Sequence, residues 1–197
     1  MKVVILQYNA GNTCSVENAF HRLGIFPIIS DDINTIVSAD KVIFPGVGHA
    51  ESAMRYLRER NLDTVIKNLQ QPVLGICLGQ QLMCSHSEEG DTDCLGIFPV
   101  AVKRFPDNQQ GLKIPQIGWN ALQGLKSPLF NDIHENSYMY FVHSYYCALS
   151  EYTIATTDYI LPFSAAIQKG NFYATQFHPE KSADVGAKVL ENFINSV

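Results

Sequence analysis

The chain has 197 residues, of which 46% are hydrophobic and 17% charged, and its net charge is −5. That length suits one domain with a substantial core, and the acidic balance argues against nucleic acid as the main ligand, because phosphate binding needs a concentrated basic surface. No stretch approaches the ~20 apolar residues a membrane helix needs, and the opening apolar run stops at Gln7, too soon for a secretory leader, so the expected location is cytoplasmic with no membrane partner.

In chain order, Val3–Leu6 reads as an apolar strand, followed by Asn9-Ala10-Gly11-Asn12. Residues 15–23 have helical spacing, with Val16, Ala19, Phe20 and Leu23 on one side. Residues 27–29 form a short second strand, and residues 42–44 a third that ends at Pro45-Gly46-Val47-Gly48. Residues 50–60 and 62–70 read as helices, 73–76 as the next strand and 80–83 as a further helical stretch. Continuous apolar strands separated by helices predict a mostly parallel sheet covered on both faces. The second half adds β-type segments at 138–142, 152–155, 165–167 and 172–177, and an amphipathic helix at 184–194. With no repeat, low-complexity tract or linker, the expectation is one α/β domain over residues 1–197.

The cysteines stand at positions 14, 77, 84, 94 and 147. Their odd number, without an export signal, predicts free thiols. Cys77, Cys84 and His86 lack the spacing of a structural zinc site, so no metal is expected. For Cys14, Cys84, Cys94 and Cys147 the simplest role is small packing residues.

Cys77 differs because of its neighbours. Gly75-Ile76-Cys77-Leu78-Gly79 follows an apolar run and precedes a helical stretch, the strand–turn–helix context of a nucleophile elbow. Far downstream, His178-Pro179-Glu180 offers a base and a carboxylate to orient it. Open parallel sheets gather ligands at the carboxyl ends of their strands, and residues 9–12, 45–48, Cys77 and His178 all fall there in this reading.

A thiol of ordinary pKa is only slightly ionised at neutral pH and needs a base or a positive field. A helix N-terminus at Cys77 supplies the field, and His178 can take the proton and later return it to a leaving group. Pro179 biases His178 toward extended backbone, where residues two apart share a side, so Glu180 is expected beside the imidazole. Attack on a carbonyl needs pre-aimed donors, which the backbone N–H groups of Leu78 and of Gly46, Val47 and Gly48 can provide. The predicted chemistry is acyl transfer through a thioester. Each motif alone has a plain structural explanation, but their joint occurrence in order at strand ends does not.

Gly75-Ile76-Cys77-Leu78-Gly79-Gln80-Gln81 with Phe177-His178-Pro179-Glu180 resembles the class I (triad) glutamine amidotransferases, single domains of flavodoxin-like fold. Asn9-Ala10-Gly11-Asn12, Pro45-Gly46-Val47-Gly48, Ile114-Pro115-Gln116-Ile117-Gly118-Trp119-Asn120, Tyr140-Phe141-Val142-His143-Ser144-Tyr145 and Lys181-Ser182 are similar to the glutaminase subunits of imidazole glycerol phosphate synthase. The resemblance runs end to end. It implies hydrolysis of L-glutamine to glutamate and ammonia without a cofactor, the ammonia passing to a separate barrel-shaped synthase subunit in histidine biosynthesis.

By that resemblance Cys77 is the nucleophile, His178 the base and acid, and Glu180 the orienting carboxylate. Gln81 helps hold the substrate, Ser144 and Tyr145 receive its α-amino and carboxylate groups through backbone atoms, and Gly46, Val47 and Gly48 form the oxyanion strand with Leu78. Trp119, Asn12 and Lys181 face the partner subunit. The resemblance also implies weak glutaminase activity until the partner docks, and the glycine-flanked strand offers a route: a Val47–Gly48 peptide whose carbonyl points inward must rotate to supply the second oxyanion donor.

The chain departs from the family pattern at Gln7 and Asn9, where Asp and Gly are usual, and at Gln80, where methionine is common. These departures leave open a paralogous subunit supplying ammonia for amidino-sugars of surface polysaccharide. Two other classes stand beside it. A partnerless cysteine hydrolase or redox protein would show no glutamine preference, and a non-catalytic scaffold would keep full activity in a Cys77→Ala variant.

Overall fold

The computed structural model describes residues 1–10, 12–107 and 111–197; Gly11, part of the expected loop after the first strand, lies outside them. The first half contains β1 (Val3–Leu6), α1 (Thr13–Arg22), β2 (Ile28–Ser30), α2 (Ile33–Val37), β3 (Lys41–Gly46), α3 (Ala50–Glu59), α4 (Leu62–Lys67), β4 (Val73–Cys77) and α5 (Leu78–Met83). The second half contains β5 (His86–Ser87), β6 (Thr92–Asp93), β7 (Ala101–Arg104), β8 (Gln116–Ala121), β9 (Tyr138–His143), β10 (Tyr145–Cys147), β11 (Thr153–Tyr159), β12 (Leu161–Lys169), β13 (Phe172–Thr175) and α6 (Ala183–Asn195).

A seven-stranded sheet runs in the order β11-β12-β13-β4-β3-β1-β2. From β13 to β2 every pairing is parallel, while β11, β12 and β13 pair antiparallel. The alternation of side chains along a strand divides the core in two. Val4, Leu6, Val42, Phe44 and Val73 point to the face covered by α2, α3, α4 and α5. Val3, Ile5, Ile43, Leu74 and Ile76 point to the other, where Phe20 of α1 and Val189, Leu190 and Phe193 of α6 pack. Both faces are therefore dry, as the unbroken apolar strands require.

The expected elements are all present, with ends shifted by a few residues. The sequence reading passed over α2, whose signal is one capping interaction: Asp32 accepts hydrogen bonds from the backbone N–H and the hydroxyl of Thr35, both at 2.7 Å. It also passed over the small β10-β7-β5-β6 sheet and strand β8. Strands of two to four residues are too short to show a period. Strand β11 extends past the expected segment through the polar stretch Thr156, Thr157 and Asp158, which follows a register irregularity between Thr153 and Thr156.

The two faces of the β8–β9 ribbon differ in character. Its register sets Ile117 opposite Val142, Trp119 opposite Tyr140 and Ala121 opposite Tyr138, so these residues share one face. The opposite face buries Gln116, Met139, Phe141 and His143. On the outer face Ile117, Trp119 and Tyr138 are all more than half exposed.

Candidate active site

The parallel strands β1, β3, β4 and β13 are neighbours and end on the same edge of the sheet. Cys77 closes β4, directly opposite Gly46 in the register of β3. It then turns into α5 with φ 54° and ψ −107°. A non-glycine residue with that backbone stores roughly 1–3 kcal/mol of strain, held here by the surrounding packing. Gly79 allows the turn: a Cβ there would lie 1.9 Å from the Phe44 carbonyl oxygen. Only glycine lets the first turn of α5 settle this closely on β3.

The sulfur of Cys77 is nearly buried. Its S–H reaches toward the Val142 carbonyl at 3.9 Å, and the amide of Gln176 donates to it at 3.7 Å. His178 follows β13 and is held by its backbone N–H, which donates to the Tyr140 carbonyl of β9 at 2.9 Å. His178 Nδ1 lies 2.7 Å from Glu180 Oε1. Glu180 reaches it through a 3-10 turn, Pro179–Lys181, and not along an extended segment as its spacing suggested. Ser182 braces the turn, donating to the His178 carbonyl at 2.6 Å and accepting from the Tyr140 N–H at 2.9 Å.

Burial alone would depress the His178 pKa, but the charge and hydrogen bonding of Cys77 and then of Glu180 prevail and raise it to about 10. Nε2 makes no well-aligned hydrogen bond among the described residues, yet the imidazole feels the sulfur strongly. Cysteine, imidazole and carboxylate therefore form one connected group, in which the imidazole holds its proton more tightly than a free histidine.

Beside Cys77 opens a cavity of about 270 Å³, lined among others by Val47, Gly48, Leu78, Gln81, Ser144 and Tyr145. All six were expected there. Leu78 is in the first turn of α5, so its N–H has no intrahelical acceptor. The Val47 N–H is not available as an oxyanion donor, because it already donates to the Ala10 carbonyl at 2.5 Å. Gly48, at φ +113°, occupies a conformation that lets the preceding peptide turn over. Gly46 does not line the cavity but sits beside Cys77 in the register of β3.

With Ser144, Tyr145 is expected to receive the substrate's α-amino and carboxylate groups through backbone atoms. Its carbonyl already accepts from His143 Nδ1 at 2.7 Å and from Gln81 Nε2 at 2.9 Å. Glu89, which sequence reasoning missed, lines the same cavity and uses Oε2 to accept from the Ala50 N–H at 2.7 Å. Its carboxylate suits an ammonium group. It lies between the two-residue strands β5 and β6, in a polar run with no local signal. Gln176, also missed, had one: on an extended segment it shares a side with His178. His143 is buried and its pKa falls to about 4, mainly through desolvation, so it is a neutral structural donor to Tyr145.

The three expected partner-facing residues lie on connected elements. Trp119 is 52% exposed and packs edge-on against Tyr140 at 6.0 Å. Lys181 is exposed at the end of the 3-10 turn, which packs on both α1 and β9. Asn12 stands at the residue before α1, its side chain accepting from the Ser15 hydroxyl at 3.1 Å and not from the helix backbone. The departures at Gln7 and Asn9 are both exposed, and Asn9 has no positive φ, so its backbone does not require glycine.

The family described as "Glutamine amidotransferase class-I" matches residues 6–197. A Bacteroides fragilis protein named imidazole glycerol phosphate synthase subunit HisH is 56% identical, over 98% of this chain and 99% of its own. A Haemophilus influenzae protein of the same name is 49% identical, over 100% of this chain and 98% of its own. Among solved structures, a putative GMP synthase component from Thermoplasma acidophilum superposes with a TM-score of 0.75 at 19% identity, over 98% of this chain and 92% of that one, a likeness of fold.

Proposed function

Because the chain belongs to the class-I glutamine amidotransferases, we propose that it is the glutaminase subunit of an imidazole glycerol phosphate synthase, working with a barrel-shaped synthase subunit in the cytoplasm. The observation that carries the chemistry is the meeting of Cys77 with a buried His178–Glu180 pair at the edge of a small polar cavity. The end-to-end relatives named HisH support the histidine pathway over a paralogous synthase.

In this reading L-glutamine enters with its α-ammonium toward Glu89 and its side-chain amide over Cys77. The sulfur, its proton already passed to His178, attacks the amide carbon and a C–S bond forms. The oxyanion that develops is met by the Leu78 N–H. His178 returns its proton to the amide nitrogen, the C–N bond breaks, and ammonia leaves a thioester behind. Water, deprotonated by His178, then attacks the thioester, and the C–S bond breaks to release glutamate. Glu180 keeps Nδ1 protonated and directed, so that Nε2 is the atom that exchanges the proton.

The commitment of the Val47 N–H to Ala10 leaves the oxyanion site one donor short, and losing one such donor typically costs ~10²–10³ in rate. Docking of the synthase on the face of Trp119 supplies a route to completion. Tyr140 touches Trp119 with its ring and holds the His178 backbone with its carbonyl. The test is glutamate release from L-glutamine by the wild-type chain and by Cys77→Ala, with and without the candidate synthase subunit. Release by the wild type alone is expected, and much faster with the partner. Full release by Cys77→Ala would overturn the mechanism, and equal rates with and without the partner would overturn the activation.

A further inference from the structure

One hydrogen-bonded chain leads from a backbone carbonyl to the nucleophile, and its polarity has only one consistent direction. The Tyr145 carbonyl has no proton to give. Both groups that meet it must donate: His143 through Nδ1 at 2.7 Å and Gln81 through Nε2 at 2.9 Å. The other hydrogen of Gln81 Nε2 points to Gln176, which must therefore present its oxygen, Oε1, at 3.0 Å. With Oε1 so engaged, the remaining end of the Gln176 amide is Nε2, and it faces Cys77 Sγ at 3.7 Å. Gln176 is fully buried, and its backbone N–H is fixed to the Ala165 carbonyl at 2.8 Å, so it cannot swing away to water.

We propose that Gln176 is a catalytic residue that donates an N–H to the Cys77 sulfur and stabilises its anion, with Gln81 and the Tyr145 carbonyl fixing which end of the amide is offered. This rests on the reading of Cys77 as the nucleophile. An amide N–H favours the anionic sulfur over the protonated one, whereas the opposite orientation would aim a lone pair at it. The same chain couples the residue that lines the substrate cavity to the reacting atom. A glutamine that displaces Gln81 disturbs the sulfur's donor as well.

Two near-isosteric variants separate this role from a packing role. Gln176→Glu keeps the acceptor for Gln81 and replaces the donor with a negative oxygen. Gln176→Met keeps the volume and removes both functions. The probe is iodoacetamide, a small neutral alkylating agent, with modification at Cys77 followed peptide by peptide against pH. Cys14 is exposed and serves as a reference thiol in the same molecule.

Gln176→Glu is expected to raise the midpoint of Cys77 alkylation by about one pH unit or more, slowing it roughly tenfold near neutrality, while Cys14 is unchanged. Gln176→Met shifts the midpoint the same way by less. In complex with the synthase subunit, kcat for glutamine falls roughly 10- to 100-fold in Gln176→Glu with a smaller change in KM. An unchanged Cys77 profile together with a raised KM would mean that Gln176 only holds Gln81, and would overturn the proposal. If Gln176→Glu does not fold, the profile of Gln176→Met decides. The alkylation does not depend on glutamine turnover. A wild-type complex that releases no glutamate would overturn the glutaminase reading while the Cys77 profile still judged Gln176.

Discussion

His178 and Glu180 meet at 2.7 Å with both side chains almost wholly removed from water, and the second carboxylate oxygen, Oε2, has no hydrogen-bond partner among the described residues. A carboxylate this dry is tolerated only because its charge is matched by the imidazolium. Glu180→Gln removes the charge while keeping the shape. It is expected to lower kcat for glutamine hydrolysis by roughly 10²–10⁴-fold, because the imidazole loses its preferred tautomer and its proton. Steady-state assays of the complex check this, and a loss below about tenfold would argue against the orienting role.

Stability should carry the same signature. The His178 pKa is raised from 6.5 to about 10, so the folded state binds this proton more tightly than the unfolded chain. The corresponding stabilisation is fully present below about pH 6.5 and is lost as pH climbs through about 10. Urea midpoints measured across that window should fall for the wild type. In Cys77→Ala the fall should be smaller and end at lower pH, because the sulfur's charge does the most to hold the proton on the ring.

Gly79→Ala tests the elbow. The added Cβ would sit 1.9 Å from the Phe44 carbonyl oxygen and 3.0 Å from its carbon, both backbone atoms that cannot move without shifting β3. A destabilisation of about 3 kcal/mol or more is expected, read as a lower urea midpoint. A change within about 0.5 kcal/mol would mean that α5 does not need its close seat on the sheet.

Trp119→Ala should separate folding from docking. Its ring is half exposed and touches chiefly Tyr140, so stability should change by less than about 1 kcal/mol. Binding to the synthase subunit should weaken roughly 30-fold or more, as befits an aromatic anchor at the centre of an apolar face. Calorimetric titration of the two subunits gives the comparison. An unchanged affinity would remove Trp119 from the interface.

Much of the sheet was legible because each strand of the parallel core is short, apolar and buried on both sides, with helices of clear period between. Residues 73–76 and 42–44 announced their strands in this way, and Gly75 and Gly79 announced the bend between β4 and α5. Strands β5, β6 and β7 were not legible, since their short segments pair with one another and, through β7, with β10 from far along the chain. Glu89 shares that obscurity. Its place in the cavity depends on where the β5–β6 hairpin is laid, not on its neighbours in sequence.

By itself the sequence determined the candidate reacting groups: a cysteine between glycines at a strand–helix bend, and a histidine with a glutamate close enough in the chain to meet it. Such features are local, and bond geometry within a few residues enforces them. The tertiary structure alone decided what surrounds them, namely the Gln176 amide on the sulfur, the two donors filling the Tyr145 carbonyl and the Val47 N–H tied to Ala10. Apart from the His143 bond, those contacts join segments far apart in the chain, and a hydrogen bond between distant segments exists only once close packing has fixed where both backbones run.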